Sequence, residues 1–170
     1  VQSPPESELL PAYPGRQRAV RAAAGEAAAS DTPEKETQQD TFETRLKKEL
    51  LFSEEHGYDV SLALIRLRFR DKSKAPESMP LYAKVIYNFL GNSAYIYQYK
   101  ESIVKNSYAC IMPFANFTET QKELLSLYRH IKEDLEAEGI VFSCGYTSRL
   151  SRRLEPELFL HEASVSLKKA

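Results

Sequence analysis

The feature that most limits the fold is the order in which two hydrophobic periods alternate along the sequence. From Thr41 onwards, apolar residues recur either every three to four residues, as in an amphipathic helix, or every second residue, as in a strand. The resulting order is helix, strand, helix, strand, strand, helix, strand, helix. Without its outer helices this order is βαββαβ, which right-handed crossovers close into a sheet with strand order 4-1-3-2. We therefore predict an α/β (α+β) fold with a ferredoxin- or palm-type core, whose antiparallel-containing sheet is flanked by helices.

The first predicted strand, VSLALIRLRF, has two chemically different faces. Alternation directs Arg66 and Arg68 to one face and a set of apolar residues to the other. This apolar set is Ala63, Ile65, Leu67 and Phe69. The segment IVKNSYACIMPF is typical of a turn that runs into a strand ending at Pro113.

Three of the predicted helices carry further local signals. LYAKVIYNFLGN has Leu81, Val85 and Phe89 at helical spacing, which predicts one apolar stripe. Thr118 and Gln121 have the spacing of a capping box at the start of the next helix, and Gly139 is a stop signal at its end. Pro156 is typical of the first residue of the last helix.

Residues 1–40 differ in composition from the remainder. They hold five of the nine prolines but only one of the eighteen Phe and Tyr residues. Such a segment cannot bury enough apolar surface to offset the entropy of ordering it. We interpret residues 1–40 as a low-complexity linker, largely disordered or partly helical, and residues 41–170 as the folded domain.

Charge and cysteine usage narrow the classes of partner and the compartment. A net charge of −1 gives no overall attraction to nucleic acid or anionic lipid, and no run approaches the ~18 apolar residues of a membrane span. Cys110 and Cys144 lack the spacing of a metal site, and the predicted strand order separates them by roughly 10 Å, too far for a disulfide. We expect a cytoplasmic domain without direct membrane insertion, either free or tethered to the inner membrane through sequence upstream.

The residues themselves resemble a known family, the GGDEF domains of diguanylate cyclases. Phe42, Leu46 and Leu50 have the spacing F-x-x-x-L-x-x-x-L of the helix that opens these domains. The next strand, SLALIRLRF, is similar to the family's SLLLLDLDHF, and VKNSYACIMP matches the signature hairpin GGDEFAVLLP in length and in its apolar end.

Two later segments extend the resemblance. FSCGYTS is similar to the family's VSIGVA strand, and ASVSLKKA is similar to its ADEALYRAK helix. The five matches occur in the family's order and together span about three quarters of the chain. The resemblance therefore implies a GGDEF-like fold for residues 41–170, of bacterial origin and related to cyclic di-GMP signalling.

The same resemblance implies that the metal chemistry of the family is missing. A cyclase of this family holds GTP and two magnesium ions with two carboxylates, because Mg²⁺ prefers hard oxygen ligands. Arg66 stands where the family has the first of these carboxylates, and Ser107 stands where it has the second. A guanidinium cannot bind a cation, so Arg66 inverts the charge of the site.

The signature as a whole is degenerate. Its five positions are occupied by Val104, Lys105, Asn106, Ser107 and Tyr108. The family's inhibitory product site uses an RxxD motif, and Tyr95 and Gln98 stand at its two defining positions. The resemblance therefore implies a domain that is not an enzyme and has no catalytic residue, no metal and no cofactor.

Three functions remain open at this stage. The first is a noncatalytic signalling, regulatory or protein-interaction domain whose partner is another protein or another domain of the same chain. The second is a nucleotide- or anion-binding receptor in which Arg66, Arg68 and Lys105 converge at the vacated pocket, unless they are merely solvated. The third is an enzyme with changed chemistry.

Each of the other candidate features has a structural explanation as well as a functional one. Tyr95, Tyr97 and Tyr99 alternate onto one face, where they either stack on RNA bases or pack under a helix, and we expect no nucleic-acid partner. The segment RLSRR, residues 149–153, is either a solvated loop or an interaction patch. The three histidines are scattered and predict no metal site.

Overall fold

The computed structural model describes residues 40–71, 79–101 and 104–170; at 79–80, 99–101 and 104–106 it describes the backbone without the side chains. Its helices are α1 (Phe42–His56), α2 (Met79–Leu90), α3 (Phe117–Glu138) and α4 (Pro156–Lys169). Its strands are β1 (Val60–Phe69), β2 (Tyr95–Glu101), β3 (Val104–Pro113) and β4 (Ile140–Ser148). The linker predicted for residues 1–40 lies outside the described residues except for Asp40. Within the described ranges, none of the helices is long and apolar enough to cross a membrane.

The four strands form one sheet in the order β2-β3-β1-β4, and every neighbouring pair is antiparallel. This order is the predicted 4-1-3-2 read from the opposite edge, so the prediction is confirmed. Strand β1 lies between β3 and β4 and separates Cys110 from Cys144, both of which are free thiols.

Helices cover both faces of the sheet and enclose two cores. On one face, α2 and α3 pack against β1 through Ala63, Ile65 and Leu67. On the other face, α1 and α4 pack against Val60, Leu62 and Leu64. The helical residues of this second core are Phe42, Leu46, Leu50, Phe159, Ala163 and Leu167.

Strand β1 is buried on both faces for most of its length and then changes character on one face only. Every residue from Val60 to Ile65 is at most 1% exposed. Beyond that point Leu67 remains buried, whereas Arg66 is partly exposed and Arg68 is exposed. The predicted separation of the two arginines from the apolar face is confirmed.

The helix ends follow local sequence signals, with one correction. Gly57 and Gly139 end α1 and α3 in the left-handed conformation, at φ angles of 70° and 69°, which glycine adopts without steric cost. The capping box of α3 pairs Asn116 with Glu119, through two hydrogen bonds of 2.9 Å. The box predicted at Thr118 and Gln121 is therefore wrong by two residues.

The buried stripe of α2 also differs from the prediction. The residues that enter the core are Tyr82, Ile86 and Leu90, whereas Leu81 is 60% exposed and Phe89 is also exposed. The segment is apolar on nearly all sides, so its sequence contains two helical stripes that are offset by one residue. Packing against α3 and the sheet selects the second stripe.

Gly145 allows α4 to lie directly on β4. A Cβ atom at this position would lie 2.0 Å from the backbone nitrogen of Leu167 and 2.6 Å from the carbonyl oxygen of Ala163. Both atoms belong to the helix backbone, which cannot yield by a side-chain rotation. The absence of a side chain at Gly145 therefore fixes the distance between α4 and the sheet.

Substituting Gly145 by alanine should destabilise the domain by about 3 kcal/mol, because α4 must move away from its core contacts. Gly57→Ala is the matched control: it adds the same methyl group where no atom lies within 4 Å, and its left-handed backbone should cost only about 1 kcal/mol. Urea unfolding of both variants measures the difference. Equal losses would contradict the close packing at Gly145.

Candidate functional site

Three polar residues form a row across the centre of the sheet. Arg66 of β1 is the register partner of Ser107 in β3 and of Ser143 in β4. Gly145, which α4 contacts, is opposite Leu64. Gly145 and Ser143 are two residues apart on β4 and share one face, as do Leu64 and Arg66 on β1. Because same-face neighbours along a strand are about 7 Å apart, the row lies about 7 Å beyond the point where the end of α4 contacts the sheet. We call Ser107, Arg66 and Ser143 the polar row.

The polar row contains hydrogen-bonding groups that are buried and unpaired. Ser107 is 2% exposed and Ser143 is 6% exposed. Five buried side-chain atoms in the described part of the chain make no hydrogen bond, and two of them, Nε of Arg66 and Oγ of Ser107, belong to register partners on adjacent strands. Arg66 also has no ion-pair partner among the described residues. A half-buried cation without a counter-charge is unusual in a folded domain.

The donors of the polar row do not fit a magnesium ion. Mg²⁺ requires oxygen ligands of high charge density, above all carboxylates, and the row supplies one guanidinium and two hydroxyl groups. A guanidinium keeps its positive charge at physiological pH and repels a second cation. Among the described residues, no group of three or more His, Cys, Asp or Glu side chains could hold a metal ion.

The remaining predicted site residues lie near the row to different degrees. Arg68 is on the same face of β1 as Arg66 and is opposite Val141 of β4. Val104, Lys105 and Asn106 belong to β3, so the predicted turn is wrong at these positions and the strand begins at Val104. Their side chains are not among those described, so the convergence of Lys105 with the two arginines stays a prediction.

Tyr108, the last of the five signature positions, is buried in a hydrophobic core. It points to the face opposite Ser107, where burial raises the pKa of its hydroxyl group. Cys110 follows it in the same core, and burial raises the pKa of its thiol to about 12. A thiol with such a pKa is a structural group and not a nucleophile.

Ser143 is the member of the row that sequence reasoning missed. Alternation in IVFSCGYTS puts Val141, Ser143 and Gly145 on one face, while Phe142, Cys144 and Tyr146 face the other core. Combined with the predicted strand order, this alternation puts Ser143 on a strand next to that of Arg66, but only the register in the structure makes the two residues partners.

The chain was compared with known proteins. No family model and no curated protein matches it. Among solved structures it is similar to the GGDEF domain of FimX from Pseudomonas aeruginosa, with a TM-score of 0.62 and 12% identity, over 74% of this chain and 83% of that one. The chain has the fold of a GGDEF domain. The resemblance inferred from its motifs is thereby confirmed at the level of the fold.

Two further structures share this GGDEF fold. Diguanylate cyclase SiaD of P. aeruginosa, in complex with its activator SiaC, matches 96% of this chain and 67% of its own, with a TM-score of 0.57 and 12% identity. PelD of P. aeruginosa, in complex with c-di-GMP, matches 74% of this chain and 44% of its own, with a TM-score of 0.52 and 15% identity. The fold is thus shared by a cyclase and by a protein that binds the cyclic dinucleotide.

In this GGDEF-fold domain, helix α1 covers the tyrosines that alternate along β2. The guanidinium of Arg45 lies 4.5 Å from the centre of the Tyr95 ring, and the rings of Phe42 and Tyr97 are 5.7 Å apart. Both tyrosines pack against the core between α1 and the sheet. Of the two explanations for the tyrosines, the structure supports packing under a helix at these two positions; the side chain of Tyr99 is outside those described.

Two arginines of the segment RLSRR, Arg149 and Arg152, form hydrogen bonds or ion pairs with other parts of the domain. Arg149 is 5% exposed and donates to the carbonyl oxygens of Ser53, Tyr58 and Arg152 at 2.9–3.2 Å. Arg152 forms a two-pronged ion pair with Glu162 at 2.8 and 3.0 Å, which lowers the pKa of that carboxyl group. The interpretation as a solvated loop is therefore wrong for Arg149, which is buried, and is confirmed for residues 150–153, which are exposed; the interaction patch stays a prediction.

The partly exposed Arg66 and the buried Arg149 should respond in opposite ways to replacement by methionine, which has a similar length and no charge. Arg66→Met removes an unpaired donor, and we expect an unchanged stability or a gain of up to about 1 kcal/mol. Arg149→Met removes three hydrogen bonds to carbonyl groups, and we expect a loss of about 3 kcal/mol or more. Of these three carbonyl groups, only that of Ser53 keeps another donor among the described residues, the N–H of Gly57. Urea unfolding of the two variants is the measurement. A large loss for Arg66→Met would indicate that Arg66 has a structural role.

Proposed function

We propose that residues 41–170 are a degenerate, noncatalytic GGDEF-like domain that acts by binding, as a regulatory or protein-interaction module in cyclic di-GMP-related signalling. The observation that carries this proposal is the position of Arg66 between Ser107 and Ser143. By resemblance, Arg66 and Ser107 occupy the two positions where a cyclase has its metal-binding carboxylates. The register pairs these two positions across adjacent strands, as expected of two residues that would share one metal site.

The magnitude of the electrostatic effect supports a loss of metal binding. At an effective dielectric constant of about 20, a divalent cation about 5 Å from a guanidinium is repelled by about 7 kcal/mol. A dissociation constant of 1 mM corresponds to only about 4 kcal/mol of binding free energy. The repulsion therefore exceeds what a weak magnesium site provides, before the loss of the two carboxylates is considered.

The proposal of a binding role draws on what the fold does in other proteins. SiaD is a diguanylate cyclase in complex with an activator protein, and PelD is in complex with c-di-GMP. A GGDEF fold therefore supports both a protein partner and a nucleotide ligand. We propose that this chain retains a binding role of this kind and has lost the reaction.

The 170-residue chain should form no cyclic di-GMP when it is incubated with GTP and MgCl₂ or MnCl₂. Product separation by liquid chromatography measures this, with a diguanylate cyclase that has an intact signature as the positive control. The double variant Arg66→Asp/Ser107→Glu should gain affinity for Mn²⁺ in isothermal titration calorimetry by at least about tenfold, because it restores two carboxylates and removes the repulsion.

Two outcomes would contradict this function. One is cyclic di-GMP produced by the unmodified chain above the level of a buffer blank. The other is a metal affinity that the double variant leaves unchanged. Arg129→Asp is the control for the Arg66→Asp part of the double variant, because it makes the same change of two charge units on an exposed residue of α3.

A further inference from the structure

We propose that the polar row binds a small oxyanion of the phosphate class, without a metal ion. Arg66 carries a positive charge at the position where, by resemblance, a cyclase binds its metal ions. Ser107 and Ser143 stand on either side of Arg66 and carry hydroxyl groups. This inference rests on the proposed function, because a row that bound Mg²⁺ could not also present Arg66 as an open anion site.

Two hydrogen-bond donors of the polar row are unsatisfied. The Nε–H group of Arg66 and the hydroxyl group of Ser107 are both buried without a hydrogen-bond partner. Leaving such groups unpaired is unfavourable, and an acceptor with several lone pairs satisfies both at once. Because both groups are donors, the ligand that fits them is an acceptor, and the charge of Arg66 favours an anion.

The two donors lie on adjacent strands, close enough to share one ligand. Arg66 and Ser107 are register partners on adjacent strands, which lie about 4.8 Å apart. Hydrogen bonds to charged acceptors are about 2.7–2.9 Å long. One anion that lies on this face of the sheet, above the two strands, therefore reaches both residues. Ser143 stands at the same level on the other side of Arg66 and adds a third hydroxyl group.

Burial and charge at the polar row favour phosphate over a carboxylate of a partner protein. Ser107 and Ser143 are almost fully buried, so a compact ligand reaches them more readily than a protein loop does. Arg68 adds a second positive charge on the same face of β1, two residues further along. Two cations favour an anion with two negative charges over a carboxylate with one.

The test is a titration of the 170-residue chain with inorganic phosphate in excess EDTA at constant ionic strength. Isothermal titration calorimetry should give a dissociation constant in the millimolar range or tighter, and backbone amide signals of residues 66, 107 and 143 should shift in NMR spectra. Guanosine monophosphate and acetate form parallel arms. Tighter binding of the monophosphate than of phosphate assigns a nucleotide, and equal binding assigns a free anion.

Variants locate the anion on the row. Arg66→Met should weaken phosphate binding at least about tenfold, Arg66→Lys should weaken it less because it keeps the charge but loses the fork, and Ser107→Ala should weaken it about threefold. Arg129→Met is the control on an exposed helix surface and should leave the affinity unchanged. Circular dichroism and urea unfolding confirm that each variant is folded.

Three results would overturn the inference: no phosphate binding, binding that Arg66→Met and Arg129→Met reduce equally, or acetate binding as tight as phosphate binding. The last result would reassign the row to a carboxylate, such as an acidic side chain of a partner protein. None of these results depends on cyclic di-GMP formation, so a failure of the anion site can be distinguished from a failure of the noncatalytic function.

Discussion

The burial of β1 on both faces is the constraint on which the rest of the structure depends. A strand between two others that is apolar on both sides needs a layer of helices on each face, and α1 to α4 provide the two layers. The two helical layers cover β1 up to different residues. One core continues along β1 to Phe69, whereas the other ends at Leu64, and the sheet beyond that point carries Arg66. The candidate site therefore arises from unequal helix coverage of one strand.

Most of the fold could be predicted because the strand sequences are compatible with few alternative bounds and few alternative assignments of their faces. In β1 the apolar run followed by alternation with arginine gives both the bounds and the faces of the strand, and a slip of one residue would bury Arg66 and Arg68. The helices are less determined. In α2 two apolar stripes compete, and only the tertiary packing of Tyr82 and Ile86 decides between them. Asn116 and Thr118 both suit a helix N-cap, and the earlier one is used, which gives α3 two more residues.

The candidate site was only partly predictable, because it is assembled from three strands. The face of Arg66 follows from β1 alone, but its neighbours follow only from the register with β3 and β4. Ser143 illustrates the limit, since nothing in its local sequence marks it. The converse holds for the segment RLSRR: its charge suggests exposure, yet Arg149 is buried because the carbonyl groups around it need a donor. Local charge therefore misled the prediction where the structure uses an arginine to satisfy backbone groups.

Strand alternation explains how the fold and the chemistry of the site can vary separately. In β3 the core residues Tyr108, Cys110 and Met112 face one helical layer, and Ala109 and Ile111 face the other. These five positions hold the sheet together, so changes there carry a large energetic cost. Ser107 is on the same face as Ala109 but is not a member of that core, and its register partner is Arg66. A change of side chain at this position can therefore occur while the strand, its register and both cores persist.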